Sequence, residues 1–357
     1  MDRGGSFDNA ASNARSANRN KNLGLRPAKA SGRPIAEDRL LRVEHVEAQI
    51  RFPCRAQVAR GRIRGAPLGW KRRLEGPHVA PRIASPALPR YGLPGVTIYL
   101  DLTREFNAGS LRAVICSGPA AVLHRLAIAS KDGDWILRED PAALGHVIGV
   151  LARHGARYRF GAPLDARWMS GGWSAHLEFR EAGLRVRTDF FTRPPRVSPT
   201  ELERMWTEQE GQDPPFTDAR MLAEMKKTDR EKDYPFLGEL ARRMTEPRDR
   251  FLYSRSADDL IELARRYPEL ALELVAARPL LARIAGGRRQ LLEAIQLEML
   301  DLMEQNEVRL SKYSAASAAW AELWPALARE IEGLELTAAH ACLIQRAEYV
   351  LPREVSA

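Results

Sequence analysis

Regular hydrophobic patterning begins abruptly at Val96 of this 357-residue chain, and that boundary limits what can fold. Residues 1–95 open with an Asn/Ser/Ala/Gly/Arg tract and continue with Arg, Pro and Gly in no period that a helix or strand could use. They carry 19 Lys and Arg against 7 Asp and Glu, whereas residues 96–357 carry 36 against 39. The basic character of the chain therefore belongs to its first quarter alone. Such a segment buries too little apolar surface to offset its ordering entropy, so a disordered basic extension is expected over 1–95, with one short helix at about 36–50. Its use stays open between a nucleic-acid-binding arm, an Arg-rich transit peptide, an inert tail, and translated sequence upstream of a start at Val96.

Three widely spaced cysteines (Cys54, Cys116, Cys342) exclude a disulfide framework and a cysteine-rich zinc module. No apolar run approaches the ~18 residues needed to span a bilayer, and the first thirty residues lack the apolar core of a secretory signal. A cytoplasmic setting and no membrane partner are expected.

From Val96 the pattern alternates between helix and strand. The stretch from Val96 to Ala108 reads as an amphipathic helix, and Leu111–Gly118 as a buried strand ending at a Ser117-Gly118 turn. A helix follows with Pro119 at its first position, then a strand over 132–138 and a helix opened by Pro141 and closed by Gly155. After a strand at 156–161 and a Gly171-Gly172 turn, 173–180 and 184–191 form a hairpin about Glu181-Ala182-Gly183. Beyond Pro194-Pro195 helices are expected at 199–210, 218–230, 231–245, 256–267, 285–310, 315–331 and 335–349. Leu292, Ile295, Met299 and Leu302 form a packing stripe on one of them. The expected organisation is an α/β (α+β) core with a mixed sheet and its trailing helices at 96–245, then a helical region at 246–357.

Chemistry concentrates in the core. Asp132 and Asp134 stand two residues apart on a strand, so both leave the same face. Alternation in the last hairpin strand sets Arg185, Arg187, Asp189 and Phe191 on one side. If the two strands are neighbours, three carboxylates converge, and like charges in a dry cleft require a compensating cation. Two Mg²⁺ ions would serve, clamping both oxygens of a phosphoryl displacement. A glycine turn opening a helix, as at Ser117-Gly118, lets backbone N–H groups approach an anion.

Ser117-Gly118, a thirteen-residue spacer, Asp132-x-Asp134 and a third Asp on a later strand together resemble the nucleotidyltransferase superfamily with the DNA polymerase β-like core. Lys226 with Arg230-x-Lys232-Asp233 is similar to the basic motifs of the AbiEii/AbiGii-type toxin branch and related bacterial nucleotidyltransferase-like proteins. The resemblance covers roughly 96–245. It implies that Asp132, Asp134 and Asp189 coordinate two Mg²⁺ ions, with Asp189 helping to deprotonate the acceptor. Ser117 and Gly118 would hold the phosphates of an NTP such as ATP, and Lys226 or Lys232 would offset their charge. Arg230 shares that basic motif, and Asp233 would orient a basic partner or the nucleotide. The implied reaction moves a nucleoside monophosphate to an acceptor hydroxyl on tRNA, a protein or a small molecule, releasing pyrophosphate. Two other readings stand beside it: a catalytically degenerate, antitoxin-like binding protein, which Pro119 at the phosphate turn favours, and an interaction protein acting through its C-terminal helices.

Other residues read as structural. Trp168 and Trp173 suit hairpin packing better than base stacking, His124 a buried helix face, and His154 a helix cap. His176 reaches the cleft only if the hairpin folds toward it. No zinc spacing and no Ser-His-Asp arrangement stands out.

Overall fold

The computed structural model describes residues 97–355; the extension and its short helix lie outside them. Helix α1 (Thr97–Phe106) buries Tyr99, Leu102, Thr103 and Phe106 along one stripe. Strand β1 (Ala113–Ile115) leads into α2 (Ser117–Leu123), β2 (Gly133–Leu137) and α3 (Pro141–Arg153). Pro141 opens α3, whose N-terminus is capped by the Asp140 carboxylate accepting from the Ala142 and Ala143 N–H groups. Strand β3 (Arg157–Gly161), the short α4 (Ala166–Met169), β4 (Ala175–Glu181) and β5 (Leu184–Phe191) complete the core. Pro119 is the third residue of α2 rather than its first, because the helix already begins at Ser117.

The five strands form one mixed sheet in the order β1-β2-β5-β4-β3. β4 and β5 are the expected hairpin, with Glu181 opposite Leu184 across two residues of positive φ, Ala182 and Gly183. β2 and β5 lie side by side and parallel, the one parallel pair of the sheet. The face toward α1 is apolar: Trp135 and Phe190 stack at 5.4 Å, and Phe106 meets the Trp135 ring edge-on. The indole N–H of Trp135 donates to Thr103 Oγ1 at 2.8 Å, which satisfies a fully buried donor.

A helical region follows: α5 (Pro199–Gln209), α6 (Ala219–Met225), α7 (Tyr234–Arg243), α8 (Pro247–Tyr253), α9 (Ala257–Arg266) and α10 (Pro268–Glu273). The long α11 (Gly287–Ala316), α12 (Ala318–Glu330) and α13 (Leu336–Val350) close it. Two short helices, α8 and α10, escape the sequence reading although each has proline at its first turn. The helix expected over 218–230 stops at Met225, and 231–245 begins as a 3₁₀ turn at Glu231–Asp233. Leu292 and Ile295 of the stripe pack against Phe251, Leu260 and Leu274 in a helical core. No helix among the described residues is long and apolar enough to cross a membrane.

The C-terminal helices share the core of the sheet: Trp320, Leu327, Leu336, Leu343 and Leu351 pack in the same cluster as Trp135 and Leu177. Tryptophan N–H groups tie the parts together. Trp168 donates to the Leu351 carbonyl at 3.0 Å, Trp173 to that of Pro352 at 2.9 Å and Trp320 to that of Gly161 at 2.9 Å. Gly171 sits where any Cβ would collide with the backbone carbonyl of Arg353. Gly171→Ala is expected to destabilise the chain by about 1–3 kcal/mol in urea denaturation, through overpacking of this seam.

Candidate active site

Parallel pairing of β2 with β5 sets Asp134 directly opposite Asp189, and the hairpin sets His176 opposite Asp189 on its other side. All three are buried, at 8%, 1% and 2% exposure. Their alternation with Trp135, Phe190 and Leu177 sends them to the face away from the aromatic core.

The Asp189 carboxylate accepts from Arg159 Nη2 at 2.6 Å and contacts His176 Nδ1 at 2.8 Å, both through Oδ1. Burial opposes its ionisation, but His176 and Arg159 outweigh that and hold it below the usual carboxylate range. Asp134 is the reverse case. Burial, then the charges of Asp189 and Asp132, push it well up, against relief from Lys226 and a hydrogen bond from the Gly118 N–H. Asp132 is also raised, by burial and Asp189, with Arg187 Nη1 3.7 Å from its Oδ1. The Ser117-Gly118 turn thus abuts the carboxylates. Its left-handed residue is Ser117, at φ +50°, while Gly118 is needed for closeness, since a Cβ there would strike Ser130 Oγ.

Lys226 caps the C-terminus of α6, 3.6 Å from Asp233 Oδ1. Asp233 also accepts from Thr228 Oγ1 and Arg230 Nε, each at 2.7 Å. Lys226 and Arg230 hold the Asp233 carboxyl low against the cost of its burial. Lys232 does not join them; it is exposed on the 3₁₀ turn, because Asp233 and Tyr234 take the inward positions. Ser117, Ser174, Lys226 and Arg230 line a cavity of about 150 Å³, together with Arg193, Arg196 and Arg309.

Ser174, His176, Arg159, Arg196 and Arg309 were not assigned to the site from sequence. Ser174 Oγ lies 3.0 Å from His176 Nε2, so Ser174, His176 and Asp189 form a hydrogen-bonded chain. No such arrangement stands out in the sequence, yet the fold assembles one. The hairpin register contained the signal, for a turn closing at Glu181 and Leu184 must bring His176 against Asp189. Arg196 and Arg309 come from a loop and a distant helix, which no local pattern joins. The remaining residues behave as structure. His124 contacts the Thr217 carbonyl at 2.9 Å, Arg185 pairs with Glu178, and the buried Cys116 thiol is pushed well up by burial, away from nucleophilic reactivity.

Among the described residues no three His, Cys, Asp or Glu side chains are grouped so as to hold a metal ion. Arg159 and His176 engage Asp189 while Gly118 engages Asp134, so the three carboxylates meet electrostatically without forming a ready-made ligand set. Two oxygens nonetheless fit a hard cation: Asp132 Oδ1 and Asp189 Oδ2 are buried acceptors without a hydrogen-bond donor. Compared with known proteins, the chain matches no protein family, no curated protein and no solved structure.

The raised Asp134 makes stability pH-dependent. In acid both folded and unfolded states hold its proton; above about pH 4 the unfolded carboxyl ionises first, so stability falls as pH rises toward the folded value. Asp134→Asn removes that loss while keeping an acceptor for Gly118. Thermal melts of wild type and variant should coincide near about pH 4, with the variant melting higher by about pH 8.

Proposed function

We propose that this protein is a metal-dependent nucleotidyltransferase, moving a nucleoside monophosphate from an NTP to an acceptor hydroxyl with release of pyrophosphate. One observation carries the reading: the β2–β5 pairing gathers Asp132, Asp134 and Asp189 beside the turn that opens α2. The sheet and its flanking helices are then a nucleotidyltransferase-type core.

In this reading Asp132, Asp134 and Asp189 would hold Mg²⁺, Asp132 and Asp189 each having a buried oxygen that accepts no hydrogen bond. Bound Mg²⁺ would supply charge neutralisation at the phosphates and lower the pKa of an attached hydroxyl. The chain's own groups do the rest. Arg159 and His176 fix Asp189 by one oxygen and leave the other to act. Asp233 aims Lys226 and Arg230 at the cavity, where they meet phosphate charge. His176 offers a proton path from Asp189 to Ser174 at the cavity wall. The near-neutral balance of 96–357 gives tRNA no electrostatic advantage from this part of the chain, which mildly lowers it among the acceptors tRNA, protein hydroxyl and small molecule.

Calorimetric titration of Mg·ATP, Mg·GTP, Mg·CTP and Mg·UTP into the full chain tests this. The expected result is metal-dependent binding of at least one nucleotide, lost in Asp132→Asn with its circular dichroism unchanged. A wild type that binds none of the four would sink the proposal and leave a degenerate binding protein in its place.

A second reading has its own observation, the chain Ser174–His176–Asp189, which matches the arrangement that activates a serine for nucleophilic attack. Here Asp189 orients His176 instead of holding metal. A phosphonofluoridate probe should then label Ser174 in wild type and in Asp132→Asn, but not in His176→Ala. Absence of label in the wild type removes this reading.

A further inference from the structure

Two partly buried cations line the cavity beside the carboxylates and have no ion-pair partner among the described residues. Of the cavity's basic residues, Arg193 is held by Glu139, and Lys226 and Arg230 share Asp233. Arg196 and Arg309 differ. Among the described residues neither forms an ion pair, and the Nε of each is buried without an acceptor. Arg196 donates through Nη1 and Nη2 to the amide oxygen of Asn306, at 3.1 and 3.0 Å, which is a neutral partner. Asn306 is itself fixed, its nitrogen donating to the carbonyls of Lys227 and Leu302. Arg309 stands one turn further along α11, with its guanidinium 5.7 Å from the Tyr313 ring.

Burial pushes both guanidiniums below their usual value, and for Arg196 the charge of Arg309 adds to this. After Tyr313 the largest relief for Arg309 comes from Asp229, the single carboxylate among the described residues that line the cavity. Arg196 also adopts a left-handed backbone, φ +64°, a strained conformation for a residue with a side chain. Partly buried charge without a close counter-charge is costly, and a bound anion would offset that cost.

We propose that this cavity is a polyphosphate site in which Arg196 and Arg309 grip the terminal phosphates of a phosphate chain. Its volume of about 150 Å³ decides which part of a ligand enters. Sites that enclose a whole small molecule run to about 300–1,000 Å³, so this one takes the phosphate tail and leaves the remainder outside. Ser117 lines the same cavity, so the α2 turn and the arginine pair border one ligand space. The assignment rests on the nucleotidyl-transfer reading only for calling the ligand a nucleotide; the anion site follows from the arginines alone.

The test is calorimetry on the full chain in metal-free buffer, with inorganic phosphate, pyrophosphate and tripolyphosphate as probes. Wild type is expected to bind tripolyphosphate more tightly than phosphate. Arg309→Met and Arg196→Met should each weaken it by about tenfold to a hundredfold, with Arg309→Lys between them and wild type. Arg329→Met, an exposed arginine on α12, should bind as wild type does. The unliganded Arg309→Met protein should melt no lower than wild type, which separates lost binding from lost fold. Failure of wild type to bind tripolyphosphate, or unchanged affinity in both variants, overturns the site. Tripolyphosphate binding by a protein that refuses Mg·NTP would uphold the site while nucleotidyl transfer falls. Mg·NTP binding that survives both substitutions would do the opposite.

Discussion

The contact on which the site depends is the parallel pairing of β2 with β5, which presses Asp134 against Asp189 under nearly complete burial. Two ionised carboxylates cannot share such a place without help, and the surrounding residues divide that help unequally. Arg159 and His176 converge on Asp189, whereas Asp134 has only Lys226 and one backbone N–H. One carboxyl is therefore held ionised and the other is driven toward its protonated form. That split is the usual mark of groups with different tasks in one site. It also explains why the elements around the pair are polar on one face only: Trp135, Phe190 and Thr188 close the opposite face with apolar contacts and satisfied hydrogen bonds.

Much of this was legible from residue order. Alternation identified the strands, the sided placement of Asp189 and the hairpin, and proline and glycine marked most helix ends. The neighbouring of β2 and β5 was posed only as a condition, because a parallel pair is joined through the whole intervening chain and leaves no local trace. His176 was placed in the cleft only on condition that the hairpin folds toward it, although the register of that hairpin already sets it opposite Asp189. Short helices such as α8 and α10 were missed because six or seven residues span too few turns to display a stripe. The basic motif was only partly resolved: the 3₁₀ turn at Glu231–Asp233 rotates Lys232 outward and Asp233 inward, which a continuous helix would not have done.

The arginine pair could not have been read at all. Arg196 follows β5 and Arg309 lies on α11, more than a hundred residues later, and they come together only because α11 reaches the sheet. That approach is fixed by buried polar contacts. Asn306 bonds to the Lys227 carbonyl, and Tyr313 donates to the carbonyl of Gly171 at 3.1 Å. The same Tyr313 hydroxyl lies where a Cβ on Gly172 would have to go, so helix and Gly-Gly turn are matched in shape as well as hydrogen bonding.

The helical region is thus neither a lid nor an appendage to the sheet. Trp320 and Leu343 belong to the core that supports β3 and β4, while Arg309 and Asn306, from the helix before them, wall the cavity. Any force that shifts α11 changes both the packing of Tyr313 on Trp173 and the positive charge in the cavity that Ser117 lines. An anion bound between Arg196 and Arg309 would strengthen that seam by neutralising their repulsion, and it would do so from the side on which Lys226 already offsets Asp134. Phosphate charge and carboxylate charge then compete for overlapping cations. A ligand that draws Lys226 away raises the demand of Asp134 and Asp189 for a cation of their own. If the cavity takes an anion and the carboxylates a cation, as proposed, the two events would be linked through Lys226, which serves both sides.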